Sequence, residues 1–510
     1  MEQTHKSTKT YDLLIVGGGI NGTGIARDAA LRGLKVCLCE QGDLAGATSS
    51  ASTKLIHGGL RYLEFGDFKL VRSALLERKL LMSLLPGFIK PLRFVLPYKK
   101  GMRPLWLLRL GLWIYDHLGP LGDLSPTARR SFQNNEFSPV LKEHFTEGLE
   151  YSDGWVDDAR LVIFNAIEAA QEGADIRSYC KVKSAVRDEG HWFITLSNGE
   201  SIKVKALVNA TGPFVNQFIK ETEKSEPLRS IRLVRGSHIV VPKLYDLDQA
   251  FILQQDDGRI IFTIPYEKHF TLVGTTETQH DGSLKKIKAS EEEIKYLLSA
   301  VNRDFRKSLK RSDVTWTFSG VRPLFDKSEN STKEKKAAHK VSRDYELAID
   351  KAAELPIIHV YGGKITTFRK LAIEVVDLLK PFFAKLGSSR TEAVPYAAFD
   401  PVGHENWLKA YHEQYVLLPL SLRSRWLNSY GRRADWFLKG VKSKKELGKE
   451  FGAGLFEREV RYLMTHEWAM TAEDVLWRRT KLGLHMTNSQ REVLETWMQE
   501  QQERSELYQI

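Results

Sequence analysis

Cysteine is scarce in this chain. Its 510 residues carry three, an odd number that excludes a disulfide framework and points to a reducing compartment. Long hydrophobic runs are missing as well. No stretch of 18 apolar residues is free of charge, which excludes a membrane-spanning helix. The first ten residues, MEQTHKSTKT, are polar and lack the apolar segment of an export signal, so no signal peptide is expected. There is no internal repeat and no cysteine–histidine spacing for zinc, so no metal site is expected. Lysines and arginines are scattered rather than interleaved with aromatics, which argues against a nucleic-acid-binding module.

What is present bounds the rest. At 42% hydrophobic residues the chain can bury a large core, and its length suits two or three domains. Lys and Arg outnumber Asp and Glu by 75 to 64 and the sequence pI is about 9.2. Anionic partners are therefore favoured, among them small phosphates, acidic lipid and nucleic acid.

From Tyr11 the chain runs YDLLIVGGGINGTGIARDAALRGLKVCLCE, which reads as strand, glycine turn, helix and strand. Gly17, Gly19 and Gly22 fit G-x-G-x-x-G. Gly17 allows the tight turn, Gly19 lets backbone approach a pyrophosphate, and Gly22 lets helix and strand pack closely. Helical spacing extends from Ile20 to Leu31, Gly33 ends it, and Glu40 closes the second strand, where its carboxylate would accept from a ribose 2′-OH and repel a 2′-phosphate. These residues alone leave NAD and FAD open. A hydroxyl-rich loop, Thr48 to Thr53, followed by His57-Gly58-Gly59, suits a long cofactor, and a second small-residue site at ALVNATG, 206–212, lets a ligand lie on the backbone. Together the pieces favour FAD.

The combination VGGGINGTGIARDAALRG, LAGATSSASTKLIHGGLRYLE, WVDDARLV, LVNATGPFVNQF, RGSHIVVP, SGVRPL and YGGKITTFRKLAI closely resembles the FAD-dependent glycerol-3-phosphate dehydrogenases. The resemblance covers nearly the entire chain, and the bacterial respiratory members of about this length are most similar. It implies oxidation of sn-glycerol 3-phosphate to dihydroxyacetone phosphate, with electrons passed to membrane quinone. The implied fold is α/β: an FAD-binding Rossmann-like domain of the glutathione-reductase and amino-acid-oxidase type, an antiparallel-sheet substrate domain and a helical C-terminal cap. FAD pieces are expected at about 1–86, 145–230 and 310–390, the substrate sheet at about 231–309, and the cap at 396–510, where 6 of the 11 tryptophans fall and Thr471 to Asp474 reads as a capping box. One departure is the lysine-rich stretch 326–345, which reads as a solvated loop longer than the family's usual one.

Hydride removal from a secondary alcohol needs the C–H bond held against the flavin, a base for the hydroxyl proton, and cations for the substrate phosphate. Three charge-assisted hydrogen bonds at about 1.5 kcal/mol each give roughly 4.5 kcal/mol, about a thousandfold preference over unphosphorylated glycerol. Basic side chains beside glycines supply them. The resemblance matches Arg61, Tyr62, His238, Arg322 and Lys364 to the substrate site, with phosphate mainly on Arg61, Lys364 and Arg322. Arg322 would also stabilise a developing alkoxide, and His238 is the candidate base. Arg322, His238 and Lys364 are the catalytic candidates. The cofactor set is Gly17, Gly19, Asn21, Gly22, Glu40, Thr48, Ser49, Ser50, Lys54, Leu55, His57, Gly59, Gly212 and Thr366.

The stretch RPLWLLRLGLWIYDHLG, 103–119, is too short and too charged to cross a bilayer. Its spacing suits an interfacial helix about as well as a buried one. Expected partners are sn-glycerol 3-phosphate, a membrane quinone, an anionic lipid surface and a second copy in a homodimer, with no nucleic acid. The expected place is the cytoplasmic face of the inner membrane, held peripherally. Rival readings on this fold are a glycerol-3-phosphate oxidase using O2 and, less favoured for want of a reason to gather cations, an FAD amine or amino-acid oxidase.

Overall fold

The structure is a computed structural model that describes residues 9–325 and 344–507; positions 326–343 of the lysine-rich stretch fall outside them. Lys9–Val16 lies at the centre of a mostly parallel sheet, paired with Val36–Cys39 on one side and Ser201–Asn209 on the other. Asp175–Arg177 extends it beyond Val36–Cys39, and Ile357–Tyr361 and Glu346–Asp350 extend it at the far edge. Parallel strands are covered on both faces, which is why LLIV and VCLC are continuous apolar runs. All four residues of Val36–Cys39 are buried, and Cys37, Cys39 and Cys180 are free thiols serving as small core residues.

Helices Ile20–Leu31, Asp158–Gln171 and Phe368–Leu378 cover one face of this sheet, burying Ile25, Ala29, Val162, Ile163, Leu371 and Val375. The hairpin Val182–Asp188 and His191–Leu196 covers part of the other, with Trp192 inside.

A second sheet has ten strands. Its order is Thr278–Gln279, Ile231–Pro242, Phe270–Gly274, Ile260–Tyr266, Ala250–Gln254, Lys90–Tyr98, Glu147–Trp155 and Leu55–Ile56. Trp316–Phe325 pairs with Ile231–Pro242 along its length, and Ala128–Ser131 with Glu147–Trp155. The sheet therefore reaches beyond the 231–309 expected for it. Lys90–Tyr98 and Glu147–Trp155 pair from Lys90↔Trp155 to Tyr98↔Glu147 across an intervening helix, and local alternation in sequence does not reveal so distant a partner.

That intervening helix, Leu105–Leu118, buries only Leu112 and Tyr115, while Trp106 is 68% and Trp113 57% exposed. Leu107 and Leu110 share the open side.

The C-terminal helices His404–Gln414, Leu420–Tyr430, Glu457–His466 and Asn488–Leu507 enclose an aromatic core of Tyr411, Trp426, Tyr430, Phe437 and Tyr462. At Thr471 the hydroxyl accepts from Asp474 N (3.2 Å) while the Asp474 carboxylate accepts from Thr471 N (2.9 Å), the reciprocal cap expected there. Buried ion pairs tie this unit to the first sheet: Arg160 to Glu467, Arg479 to Asp43 (2.7 Å), and Lys481 to Asp157 (3.0 Å). Removing one partner of such a pair costs about 3–5 kcal/mol, because the other charge stays buried.

Candidate active site

The first sheet and its glycine turn form a cradle. Gly17 sits at φ +112°, and a Cβ there would lie 2.5 Å from Ala210 O; at Gly22 a Cβ would lie 1.8 Å from Gly17 O. Side chains are thus excluded at both positions by backbone. The contact with Ala210 also places the ALVNATG strand end, with Gly212 just beyond it, against the turn. Helix Ile20–Leu31 starts at Gly19 with no side-chain cap, and Ile20 N donates to Ser49 Oγ at 3.0 Å. Such a helix start favours an anion. Asn21 donates to Gly362 O (3.1 Å), while its Oδ1 is buried without a hydrogen-bond partner among the described residues.

Glu40 stands at the end of its strand and accepts from Gly18 N (2.7 Å) and Gly42 N (2.9 Å), bracing the turn. Burial raises its carboxyl above the usual range. A cradle closed to side chains, an open helix start and a carboxylate at the strand end together fit the dinucleotide part of FAD.

The hydroxyl-rich loop divides its tasks. Thr48 Oγ1 donates to Val321 O (2.6 Å), Ser50 Oγ turns back to Ala47 O (3.3 Å), and Leu55 is buried in the core with Val71 and Leu75. Lys54 is fully buried, with Nζ 2.6 Å from Asp158 and 3.2 Å from Ser50 O. Its ammonium is therefore engaged within the protein, and Asp158, which sequence reasoning missed, is the partner that makes its burial tolerable. His57 N donates to Thr366 Oγ1 at 3.2 Å, and the same hydroxyl donates back to His57 O at 3.3 Å. This stitches the loop to the segment that carries Lys364.

The cations meet at the next turn. Gly59 (φ +82°) begins the short helical turn Leu60–Phe65, which presents Arg61 and Tyr62. Lys364 Nζ lies 3.7 Å over the Tyr62 ring, a close cation–π contact. Arg61 donates to Gly258 O (3.0 Å) and approaches Glu277 (4.0 Å); Arg322 approaches the same carboxylate at 3.5 Å. Glu277 thus stands between two guanidiniums, and it too was missed, since a lone glutamate in TTETQ gives no signal in sequence. Burial lowers the pKa of Arg322 from its usual value.

His238 lies opposite Gly274 and Phe318 in the sheet, stacks on Phe318 at 4.8 Å, and meets Thr53 Oγ1 with Nε2 at 3.0 Å. Burial, then Arg322, then Lys54, push its pKa well below the ordinary histidine range. The ring is neutral near pH 7, the form a proton acceptor needs.

A further buried network underlies Gly58. Gly58 N donates to Tyr115 Oη (2.8 Å), Tyr115 donates to Asp153 (2.8 Å), and Arg78 pairs with Asp153 (2.5 Å). Burial raises the Asp153 carboxyl to about 6. The network fastens the turn before Arg61 to helix Leu105–Leu118. Among the described residues no cluster of three metal-ligating side chains occurs.

Comparison with known proteins bears on the family, the fold and the cofactor. Residues 12–339 match the family described as FAD dependent oxidoreductase, and residues 389–506 match the C-terminal domain of alpha-glycerophosphate oxidase. The chain is 46% identical to a glycerol-3-phosphate dehydrogenase of Pseudomonas aeruginosa, covering 98% of each. It is 41% identical to the aerobic glycerol-3-phosphate dehydrogenase of Escherichia coli, covering 96% of this chain and 98% of that one. A D-erythritol 1-phosphate dehydrogenase of Brucella abortus is 44% identical, with 96% and 98% covered. Among solved structures, a glycerol-3-phosphate dehydrogenase from Bacillus halodurans complexed with FAD superposes with a TM-score of 0.75 at 27% identity, over 97% of this chain and 91% of that one. The glycine cradle, the FAD-type fold and these matches along nearly the whole length lead to one conclusion: the chain belongs to the FAD-dependent oxidoreductase family, is similar to glycerol-3-phosphate dehydrogenases, and is an FAD-dependent enzyme.

Proposed function

We propose that the protein oxidises sn-glycerol 3-phosphate at its secondary carbon to dihydroxyacetone phosphate and passes the electrons to a membrane quinone. The observation that carries the reaction is the grouping of Arg61, Lys364 and Arg322 around Tyr62 and Glu277, close to a buried neutral histidine. FAD, which the cradle around Gly17, Gly19 and Gly22 would hold, would supply the hydride acceptor. Arg61 and Lys364 hold the phosphate, and Arg322 stabilises negative charge on the reacting oxygen. His238, with Nε2 hydrogen-bonded to Thr53 Oγ1 at 3.0 Å, is the candidate acceptor of the hydroxyl proton. The test is anaerobic: purified yellow protein should lose its oxidised-flavin absorbance when glycerol 3-phosphate is added and release one dihydroxyacetone phosphate per flavin. An unchanged spectrum at saturating substrate overturns the reading.

A longer polyol phosphate is a second reading, favoured by the similarity to the Brucella abortus enzyme. Comparing kcat/KM for glycerol 3-phosphate and D-erythritol 1-phosphate separates the two.

The quinone acceptor requires contact with lipid. Among the described residues no helix is long and apolar enough to cross a membrane. Helix Leu105–Leu118 instead exposes Trp106, Leu107, Leu110 and Trp113, and the chain's positive excess suits anionic headgroups on the cytoplasmic face. Burying that face contributes about 25 cal/mol per Å². Detergent should release the protein from membranes, salt should only weaken its hold, and a quinone analogue should be reduced faster than O2. Protein that stays in the supernatant and forms peroxide as fast as it reduces quinone is an oxidase instead.

A further inference from the structure

Beyond the substrate site, a cavity of about 500 Å³ is lined by five cations, Arg61, Lys99, Lys100, Arg103 and Arg259, against two carboxylates, Glu64 and Asp256. Three elements enclose it: the turn Leu60–Phe65, the turn at residues 99–103, and the hairpin turn at 255–259. The walls are held by their own bonds. Gln255 N donates to Arg259 O (2.9 Å), Gly258 N donates to Gln255 O (2.9 Å), and Arg61 donates to Gly258 O (3.0 Å).

The cations are not equally engaged. Arg103 is paired with Glu64, and Arg259 lies 2.6 Å from Asp257 and 3.8 Å over the Tyr296 ring. Among the described residues no ion pair joins Lys99 or Lys100 to a carboxylate; Lys99 Nζ lies 5.9 Å over the Phe145 ring, and Lys100 is exposed at the rim. Arg61 is common to both places: it lines the cavity, and its other face approaches Glu277 at 4.0 Å, the carboxylate that Arg322 approaches at 3.5 Å. Positive charge therefore runs from exposed Lys100 and half-buried Lys99 to Arg61 and Arg322, the two half-buried guanidiniums that meet at Glu277.

We propose that this cavity is a capture site for the phosphate group of a free phosphate monoester, which Lys99 and Lys100 collect and Arg61 passes to the substrate site. The proposal rests on the reading of a phosphate ester as substrate. A concave wall with one sign in excess raises the local concentration of the opposite ion, and the effect fades as salt shortens the Debye length from about 30 Å at 0.01 M to about 8 Å at 0.15 M.

The experiment compares holoenzyme with Lys99→Gln/Lys100→Gln and Lys99→Glu/Lys100→Glu, each checked for flavin content and melting temperature, with glycerol 3-phosphate as probe. At low ionic strength kcat/KM should fall about 5- to 10-fold in the glutamine pair, up to the lower edge of the roughly 10- to 1000-fold range of electrostatic focusing, and further in the glutamate pair. At 0.2 M salt all three should agree within about twofold. Equal kcat/KM at low salt overturns the proposal. A parallel arm sediments the proteins with vesicles one-third anionic in lipid. If the variants lose vesicle binding but keep the parent's kcat/KM at low salt, the lysines hold lipid headgroups and the proposal is again overturned. Bleaching of the parent at saturating substrate reads the proposed function separately, so failure there is distinct from a variant that matches its parent.

Discussion

The glycine cradle and the cationic site are built by opposite means. The cradle comes mainly from one continuous stretch, Lys9 to Glu40, closed by the strand end at Ala210, and its geometry is enforced by backbone contact: Gly22 against Gly17 O, and Gly17 against Ala210 O. The cationic site draws Arg61 and Tyr62, His238, Glu277, Arg322 and Lys364 from five separate segments. Sheet register brings them together, through Val234↔Arg322, His238↔Phe318 and His238↔Gly274. The cradle is consequently intolerant of added atoms, whereas the site is sensitive to lost charge. Shape decides one and electrostatics the other.

The largest effect should come from breaking the cradle. Gly22→Val places side-chain atoms on Gly17 O, which as backbone cannot move aside, so little folded protein and no flavin are expected. Gly19→Val meets only Ser49 Oγ at 3.0 Å, so it should fold yet purify colourless. Circular dichroism and the visible spectrum separate the two outcomes. A soluble, fully yellow Gly22→Val would erase the contrast drawn here.

The site should respond in the other manner. Arg61→Met or Lys364→Met is expected to keep flavin while lowering kcat/KM by about 2–3 kcal/mol, roughly 30- to 150-fold. Flavin loss accompanying the kinetic loss would mean that the two regions are not separable.

Tyr115→Phe tests the network that joins them. It removes the acceptor for Gly58 N and a donor to Asp153, both buried, and should cost about 1–3 kcal/mol in denaturant unfolding. An unchanged midpoint would show that the turn before Arg61 is held by other contacts.

The smallest effect concerns pH. His359, in the first-sheet strand Ile357–Tyr361, has its pKa lowered to about 4 by burial. Below pH 6.5 the unfolded chain takes up a proton that the folded one refuses, so this histidine's contribution to stability is lost as pH falls. The loss is at most about 1.4 kcal/mol per pH unit between roughly 6.5 and 4. Asp153, raised to about 6, acts in the opposite sense but equally in both proteins. His359→Gln should therefore lose about 1 kcal/mol less than the parent between pH 6.5 and 5.5, read from urea midpoints. Parallel pH profiles would sink the idea.

Much of the cradle was legible in sequence, because a glycine fingerprint between an apolar strand and a helix acts over a few residues and needs no distant partner. The basic residues beside glycines were legible as types, and Arg61, Tyr62 and Lys364 do come together. Lys54 was harder. Its sequence neighbours are hydroxyls, yet its ammonium faces Asp158, more than a hundred residues away in the chain. Glu277, Asp158 and the Tyr115–Asp153–Arg78 network carry no local pattern at all. The helix Leu105–Leu118 left burial and exposure balanced, since its periodicity marks two faces without saying which one the sheet covers.

Sequence by itself determined the local chemistry of this protein: a mononucleotide turn closed to side chains, a glycine-flanked set of cations, and a C-terminal region of helical period. Sterics and hydrophobic periodicity act between near neighbours and are written directly in residue order. Only the tertiary structure decided which charges share a carboxylate, which lysine is consumed by an aspartate, which tryptophans stay in solvent and how the cap's arginines reach Asp43. Coulombic and desolvation energies depend on distances between segments far apart in the chain, and those distances exist only once both sheets have found their register.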